Sequence, residues 1–215
     1  MSDQPEHECP LCPRLLAYRN DNRQRFPDWH NGPVVSFGSP DACLLIVGLA
    51  PGLKGANRTG RPFTGDVAGD LLYPTLIKFG LAHGTFGAEP DDGLELRDCR
   101  ITNAVRCAPP QNKVMGPEIA ACRPFLSTEI ANMKKLKVIL ALGVVAHGAV
   151  LSCLGEKKSA IPFAHAARHQ LTGGLTLMDS YHCSRYNTNT GRLTTEMFEG
   201  VFNSLVGEIR GDRLS

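Results

Sequence analysis

The sequence predicts an α/β fold, a three-layer α/β/α sandwich around a central four-stranded parallel sheet. Three observations predict it. Two continuous apolar runs each end in glycine or a loop, two shorter mixed runs each lead into polar residues, and helical patterns lie between them.

The continuous runs are residues 43–50 (Cys-Leu-Leu-Ile-Val-Gly-Leu-Ala) and 137–143 (Lys-Val-Ile-Leu-Ala-Leu-Gly). Unbroken apolarity suits strands covered on both faces, as in parallel sheets with helices on each side. Residues 100–105 and 175–180 supply the other two strands. Residues 67–79 place Leu71, Leu72, Leu76 and Phe79 on one side of a helix that Pro74 bends. Pro117 suits a first helical position, and Ile119, Cys122, Leu126, Ile130 and Met133 follow at helical spacing. Pro124 is expected to split that segment into two short helices. Residues 144–151 form a short Ala-rich helix, and Leu193, Met197, Val201, Leu205 and Ile209 mark an amphipathic C-terminal one. Residues 84–98 read as a surface excursion. In such sheets ligands bind beyond the carboxyl ends of the strands, so the segments after the four strands are expected to share one cleft.

The 215 residues suit a single domain, 1–215, with no internal repeat or linker. No apolar run approaches the roughly 20 residues of a membrane span, and the first residues lack a basic stretch leading into an apolar one. The expected location is therefore the cytoplasm. The formal charge of +2 is too small to argue for nucleic acid by itself. Local clusters are another matter: Lys54, Arg58 and Arg61 crowd one glycine-rich loop, and Arg185 and Arg192 flank a polar one. Among eight cysteines, Cys43 and Cys153 read as core residues, and cytosolic thiols are not expected to pair as disulfides. Cys9 and Cys12 form Cys-x-x-Cys, and Cys107 and Cys122 form a second spaced pair. Spacing alone allows zinc, iron–sulfur or chance.

The chemistry-bearing stretches follow the strands. The first runs Gly48-Leu-Ala-Pro-Gly-Leu-Lys-Gly-Ala-Asn-Arg-Thr-Gly-Arg-Pro-Phe-Thr-Gly-Asp66. Its glycines let the backbone approach a ligand, so Gly48 and Ala50 are candidate pocket positions, and Phe63 offers a ring face. It lacks the Gly-x-x-x-x-Gly-Lys-[Ser/Thr] pattern of nucleotide hydrolysis. The second is Ile101-Thr-Asn-Ala-Val-Arg-Cys-Ala-Pro-Pro110, and the third is Asp179-Ser-Tyr-His-Cys-Ser-Arg-Tyr-Asn-Thr-Asn-Thr-Gly191. Together they closely resemble the type-B, or fifth-family, uracil-DNA glycosylases, whose motifs read Gly-Leu-Ala-Pro, Gly-x-Asn-Arg-Thr-Gly-Arg, Phe-Thr-Gly-Asp, Thr-Asn-x-Val-Arg-Cys and Asp-Ser-Tyr-His-Pro-Ser-Arg. Cys183 stands where that family has proline, and Tyr186 where it often has glutamine.

The resemblance implies a DNA-repair glycosylase that hydrolyses the N-glycosidic bond of uracil and of other deaminated bases, hypoxanthine and xanthine. It favours a [4Fe–4S] cluster on Cys9, Cys12, Cys107 and Cys122, with zinc as the alternative, tying residues 1–30 onto the sheet as an arm. The implied partner is damaged, double-stranded DNA, met by a monomer near the nucleoid and no membrane. Bond cleavage makes the sugar oxocarbenium-like while negative charge develops on the base O2, so a donor is needed there. His182 is the candidate donor; His147, His165 and His169 read as core or surface. Asn103 is expected to read the base edge, offering a donor to O4 and an acceptor to N3–H, and Phe63 to stack on the extruded base. Asp66 either holds the attacking water or caps a helix, because the Gly-x-x-Pro positions that carry an acid in related glycosylases are Leu49 and Ala50 here. Arg185, Ser184 and Tyr186 are expected to enter the DNA groove, while Arg58 and Lys54 meet phosphates. Rival readings are a lesion-binding module of the same fold with little catalysis, and a zinc-stabilised enzyme acting on a small nucleoside.

Overall fold

A computed structural model describes residues 2–211. Its elements in chain order are α1 (Pro13–Arg25), β1 (Leu44–Gly48), α2 (Ala56–Thr59), α3 (Val67–Lys78), β2 (Ala82–His83), β3 (Glu95–Leu96), β4 (Cys99–Asn103), α4 (Gly116–Asn132), β5 (Val138–Leu142), α5 (Val144–Leu154), β6 (Arg168–Gln170), β7 (Thr176–Ser180), α6 (Arg185–Asn189) and α7 (Thr195–Arg210). The main sheet has the order β4-β1-β5-β7-β6. The first four of these strands are parallel and are the expected ones, each buried along its whole length.

The fifth strand corrects the expected four. β6 pairs antiparallel with the edge of β7, Arg168 opposite Met178 and Gln170 opposite Thr176. It is short and polar, with its outer residues exposed. Its strand character comes from the open edge it pairs with, which no local pattern reveals. Pro124 is the second correction, since α4 runs unbroken through it. Buried Cys122 on one side and Leu126 and Ile130 on the other anchor the helix to the sheet, offsetting the one hydrogen bond a proline removes.

Alternation along the strands divides the core into two layers. Leu44, Ile46, Val138 and Leu140 pack against Leu72, Tyr73 and Leu76 of α3 and Phe198, Phe202 and Leu205 of α7. Leu45, Val47, Ile139 and Ala141 face α4 and α5 on the opposite side. Cys43 and Cys153 are only half-buried, at the margins of this core.

The segment 84–98 is not a plain excursion. It connects β2 to β3, which pair as an antiparallel hairpin, and the side chain of its Asp92 is buried against Arg61 in a two-pronged ion pair at 2.6 and 2.8 Å. A second buried network joins β4 to α4: Glu129 accepts from Arg100 and from Arg106, each at 2.6 Å. Leaving one partner of such a network unpaired costs about 3–5 kcal/mol. It holds in place the segment that carries Asn103 and Cys107.

Candidate active site

Register sets the first two site residues side by side. β1 and β4 pair so that Gly48 lies opposite Asn103, at the carboxyl edge of the sheet. A Cβ on Gly48 would meet Asn103 Oδ1 at 2.5 Å and Phe63 Cζ at 2.7 Å, so the glycine opens the floor on which the two side chains converge. Phe63 adopts a left-handed backbone, φ 57°, which a bulky residue rarely takes. Its ring is mostly buried and borders the core, yet it lies 5.9 Å from the His182 ring at an interplanar angle of 26°. The imidazole, the carboxamide and the benzyl ring therefore lie together at this edge of the sheet.

The adjoining cleft, about 740 Å³, is lined by the loop from Leu49 to Gly55, by Gly65–Ala68, by Pro109 and Asn112, and by His182, Ser184, Arg185 and Tyr186. Segments following β1, β4 and β7 thus meet in it. The segment after β5 supplies no lining residue, although a Cβ on its Gly143 would stand in ordinary van der Waals contact with His182 Cβ, at 3.6 Å.

Asp66 does cap a helix. Its Oδ1 accepts from the backbone N–H groups of Ala68 and Gly69, at 3.1 and 3.3 Å, at the start of α3. Its Oδ2 is directed elsewhere, 3.1 Å from the Cβ position of Gly52 and equally from that of Gly55. One oxygen caps and the other is left to the cleft, so the two expected roles are geometrically compatible. Burial pushes the Asp66 carboxyl above its ordinary value, and the two N–H donors oppose that only in part.

Burial also depresses the His182 imidazole to about 4. The ring is neutral at pH 7, and its buried Nδ1 has no hydrogen-bond partner. Leu49 and Ala50 are half-buried and give the cleft an apolar lip. Ser184 caps α6 by accepting from Asn187 N at 3.5 Å. Arg185 and Tyr186 then project from that helix, Tyr186 71 % exposed.

The basic loop is less available than its composition implies. Lys54 is exposed, but Arg58 donates to both carboxylate oxygens of Glu89, at 2.7 and 3.2 Å. Arg61 is buried among the Phe37, Tyr73 and Phe86 rings and paired with Asp92. It is structural, contrary to the cluster expected from sequence. Arg192 lies over the Tyr181 ring, 4.6 Å from its centroid.

Cys9, Cys12, Cys107 and Cys122 line one largely apolar pocket with Leu15, Arg19 and Phe125. Arg19 donates to Cys107 Sγ at 3.5 Å, and the Arg106 N–H to Cys122 Sγ at 3.4 Å. Burial raises the Cys12 thiol to about 11 and the Cys107 thiol to about 12, and raises Cys122 as well, so thiolates at these three call for a bound cation. No three of these sulfurs lie within 4.8 Å of one another among the described residues. A tetrahedral zinc needs its sulfurs about 3.8 Å apart. The four sulfurs are thus not gathered as a tetrahedral zinc requires, although all four cysteines line one pocket.

Sequence reasoning missed one polar cluster. Asp179 is fully buried, its Oδ1 2.8 Å from His147 Nδ1 and its Oδ2 3.2 Å from His169 Nε2. Each carboxylate oxygen meets a different ring, which describes a hydrogen-bonded chain tying α5 and β6 to the end of β7. No motif spacing signals it, because the three residues come from separate elements.

Comparison with known proteins shows the family. The family described as the uracil DNA glycosylase superfamily matches residues 35–206. A type-5 uracil-DNA glycosylase of Thermus thermophilus is 48% identical over 196 residues, covering 88% of this chain and 89% of the relative. One from Mycobacterium leprae is 41% identical, covering 90% and 88%. A type-4 uracil-DNA glycosylase of Pyrobaculum aerophilum is 35% identical, covering 69% and 62%. With its motifs at one rim of the sheet and its length spanned by such relatives, the chain belongs to the uracil DNA glycosylase superfamily, in the type-5 family.

Proposed function

We propose that this protein is a monofunctional DNA glycosylase that hydrolyses the N-glycosidic bond of uracil in DNA and leaves an abasic site. The observation that carries the reading is the convergence of Phe63 and Asn103 over Gly48 beside a neutral His182. An extruded base stacks on Phe63, a contact of about 1–3 kcal/mol in single-strand binders. The Asn103 carboxamide matches the O4 and N3–H edge of uracil. Hypoxanthine and xanthine present the same carbonyl and N–H pair, so they are proposed as further substrates.

His182 stabilises the leaving base. A neutral imidazole with its free N–H at O2 gains strength only as negative charge develops there, so it favours the transition state over bound substrate. Asp66 Oδ2 holds the attacking water on the cleft side of the sugar while Oδ1 keeps α3 capped. Gly48 and Ala50 bring backbone close to the base. Arg185, Ser184 and Tyr186, with Lys54, face the duplex, and Arg58 joins them if it leaves Glu89. Cys9, Cys12, Cys107 and Cys122 would hold a [4Fe–4S] cluster, whose chemistry here is structural: it fastens residues 1–30 to the single domain 1–215. The protein acts as a monomer on double-stranded DNA in the cytoplasm, at the nucleoid.

Incubation with a single-uracil duplex followed by alkali tests the reading, with strand breaks expected at the uracil. Binding without breaks would instead make it a lesion-binding module. Hydrolysis of free nucleosides but not of duplex would make it a nucleoside enzyme.

A further inference from the structure

His182 sits in the irregular stretch between β7 and α6, and its own ring secures it poorly. Nδ1 is buried without a partner, and the nearest ring, Phe63, is 5.9 Å away. The aim of the imidazole therefore depends on its backbone. Among the described residues, one group hydrogen-bonds that backbone: Asn187 Nδ2 donates to the His182 carbonyl at 2.8 Å.

Asn187 is itself well placed to act as a junction. It lies on α6 with Arg185 and Tyr186, the residues proposed to meet the duplex. Its N–H donates to the Ser184 hydroxyl that caps the helix. Its carbonyl accepts from Leu193 N at 3.0 Å, and Leu193 is buried in the core. The side chain thus spans from a core-anchored point to the carbonyl of the proposed donor.

We infer that Asn187 is a positioning residue: its amide sets the orientation of His182 and couples it to the seating of α6 on DNA. The inference rests on the proposed glycosylase reaction for its kinetic consequence, but the structural link stands apart from it. A rigid donor matters because misplacing a catalytic group by about 1 Å lowers rates on the order of 10²-fold. Without the amide, the His182 carbonyl would lose its one hydrogen bond among the described residues, and the residue would be held only through its neighbours, Tyr181, whose N–H donates to His165 Nδ1, and the buried Cys183. The base would still bind, because Phe63, Asn103 and the DNA contacts are untouched.

The test uses Asn187→Ala, Asn187→Asp and Asn187→Gln in the holoprotein, with single-turnover excision, duplex Kd, melting temperature and ¹⁵N-histidine NMR read together. Ala is expected to slow excision by about ten- to a hundredfold with Kd unchanged and melting temperature lowered by no more than about 2–4 °C; Asp is expected to slow it as much, its added charge beside the duplex also weakening Kd. Gln keeps a donor and is expected to recover part of the rate. Asp cannot donate to a carbonyl and adds a negative charge, so it should raise the His182 titration above its wild-type position near 4, whereas Ala should not. A rate for Ala within twofold of wild type would overturn the inference. So would a Gln variant as slow as Ala, or a loss of Kd in Ala that matches its loss of rate. If the wild-type protein excises nothing, the glycosylase reading fails alone, and the inference is then decided by NMR: His182 resonances unmoved in Ala and Asp would end it.

Discussion

Asp66 offers a clean separation of stability from chemistry, because its two oxygens face different tasks. In Asp66→Asn the side chain still accepts from Ala68 N and Gly69 N, and asparagine caps helices as well as aspartate does. Burial raises the Asp66 carboxyl, so the folded state holds its proton more tightly than the unfolded chain. Above both values that difference lowers stability, and removing the charge relieves it. Asn is therefore expected to be neutral or slightly stabilising at pH 7. Asp66→Ala loses the cap at a cost of about 1 kcal/mol, which for a chain of this size lowers Tm by about 2–4 °C. Activity should behave differently. A positioned general base contributes about 10²–10⁴-fold, so Asn and Ala should both lose at least about 10²-fold in single-turnover excision despite their different Tm. The wild-type rate should rise with pH through the raised Asp66 value, while the residual Asn rate should stay flat. Thermal melts and alkali-cleavage time courses from pH 4 to 8 give both readouts. An Asn variant as fast as wild type would reduce Asp66 to a cap.

The remaining predictions concern the rest of the site. His182→Ala should lower the excision rate by about 10²–10³-fold with duplex Kd unchanged; equal losses in both would make it a binding residue. Because His182 titrates near 4 when folded and near 6.5 when unfolded, wild-type stability should fall as pH drops through that window. His182→Gln should flatten that slope in urea titrations, and an unchanged slope would contradict a buried neutral imidazole. Asn103→Ala should slow uracil and hypoxanthine excision alike, measured on matched duplexes, since both bases present the same edge; a selective effect would refute the shared contact. Cys107→Ser should remove the visible absorption of an iron–sulfur protein and expose residues 1–30 to limited proteolysis. Unchanged colour and iron content would take Cys107 out of the ligand set.

Much of this protein is legible along the chain. The burial of β1 and β5 on both faces follows from their unbroken apolar runs, and the site motifs follow the strands because parallel sheets gather ligands at that edge. Periodicity also gives α3, α5 and α7 to within a few residues. What local pattern does not carry is the outcome of competition between distant groups. Arg61 looks like a surface cation until Asp92, 31 residues on, takes it into the core. Pro124 should break a helix, yet packing on both sides keeps α4 whole. β6 exists because β7 offers an open edge, and the buried Asp179 chain exists because three elements bring two imidazoles to one carboxylate. The sequence alone determined the layers and the inventory of reactive groups, since both depend on residue type and spacing. The tertiary structure decided which charges are neutralised, which Asp66 oxygen is left over and what holds His182, because those depend on contacts between parts of the chain that are neighbours only after folding.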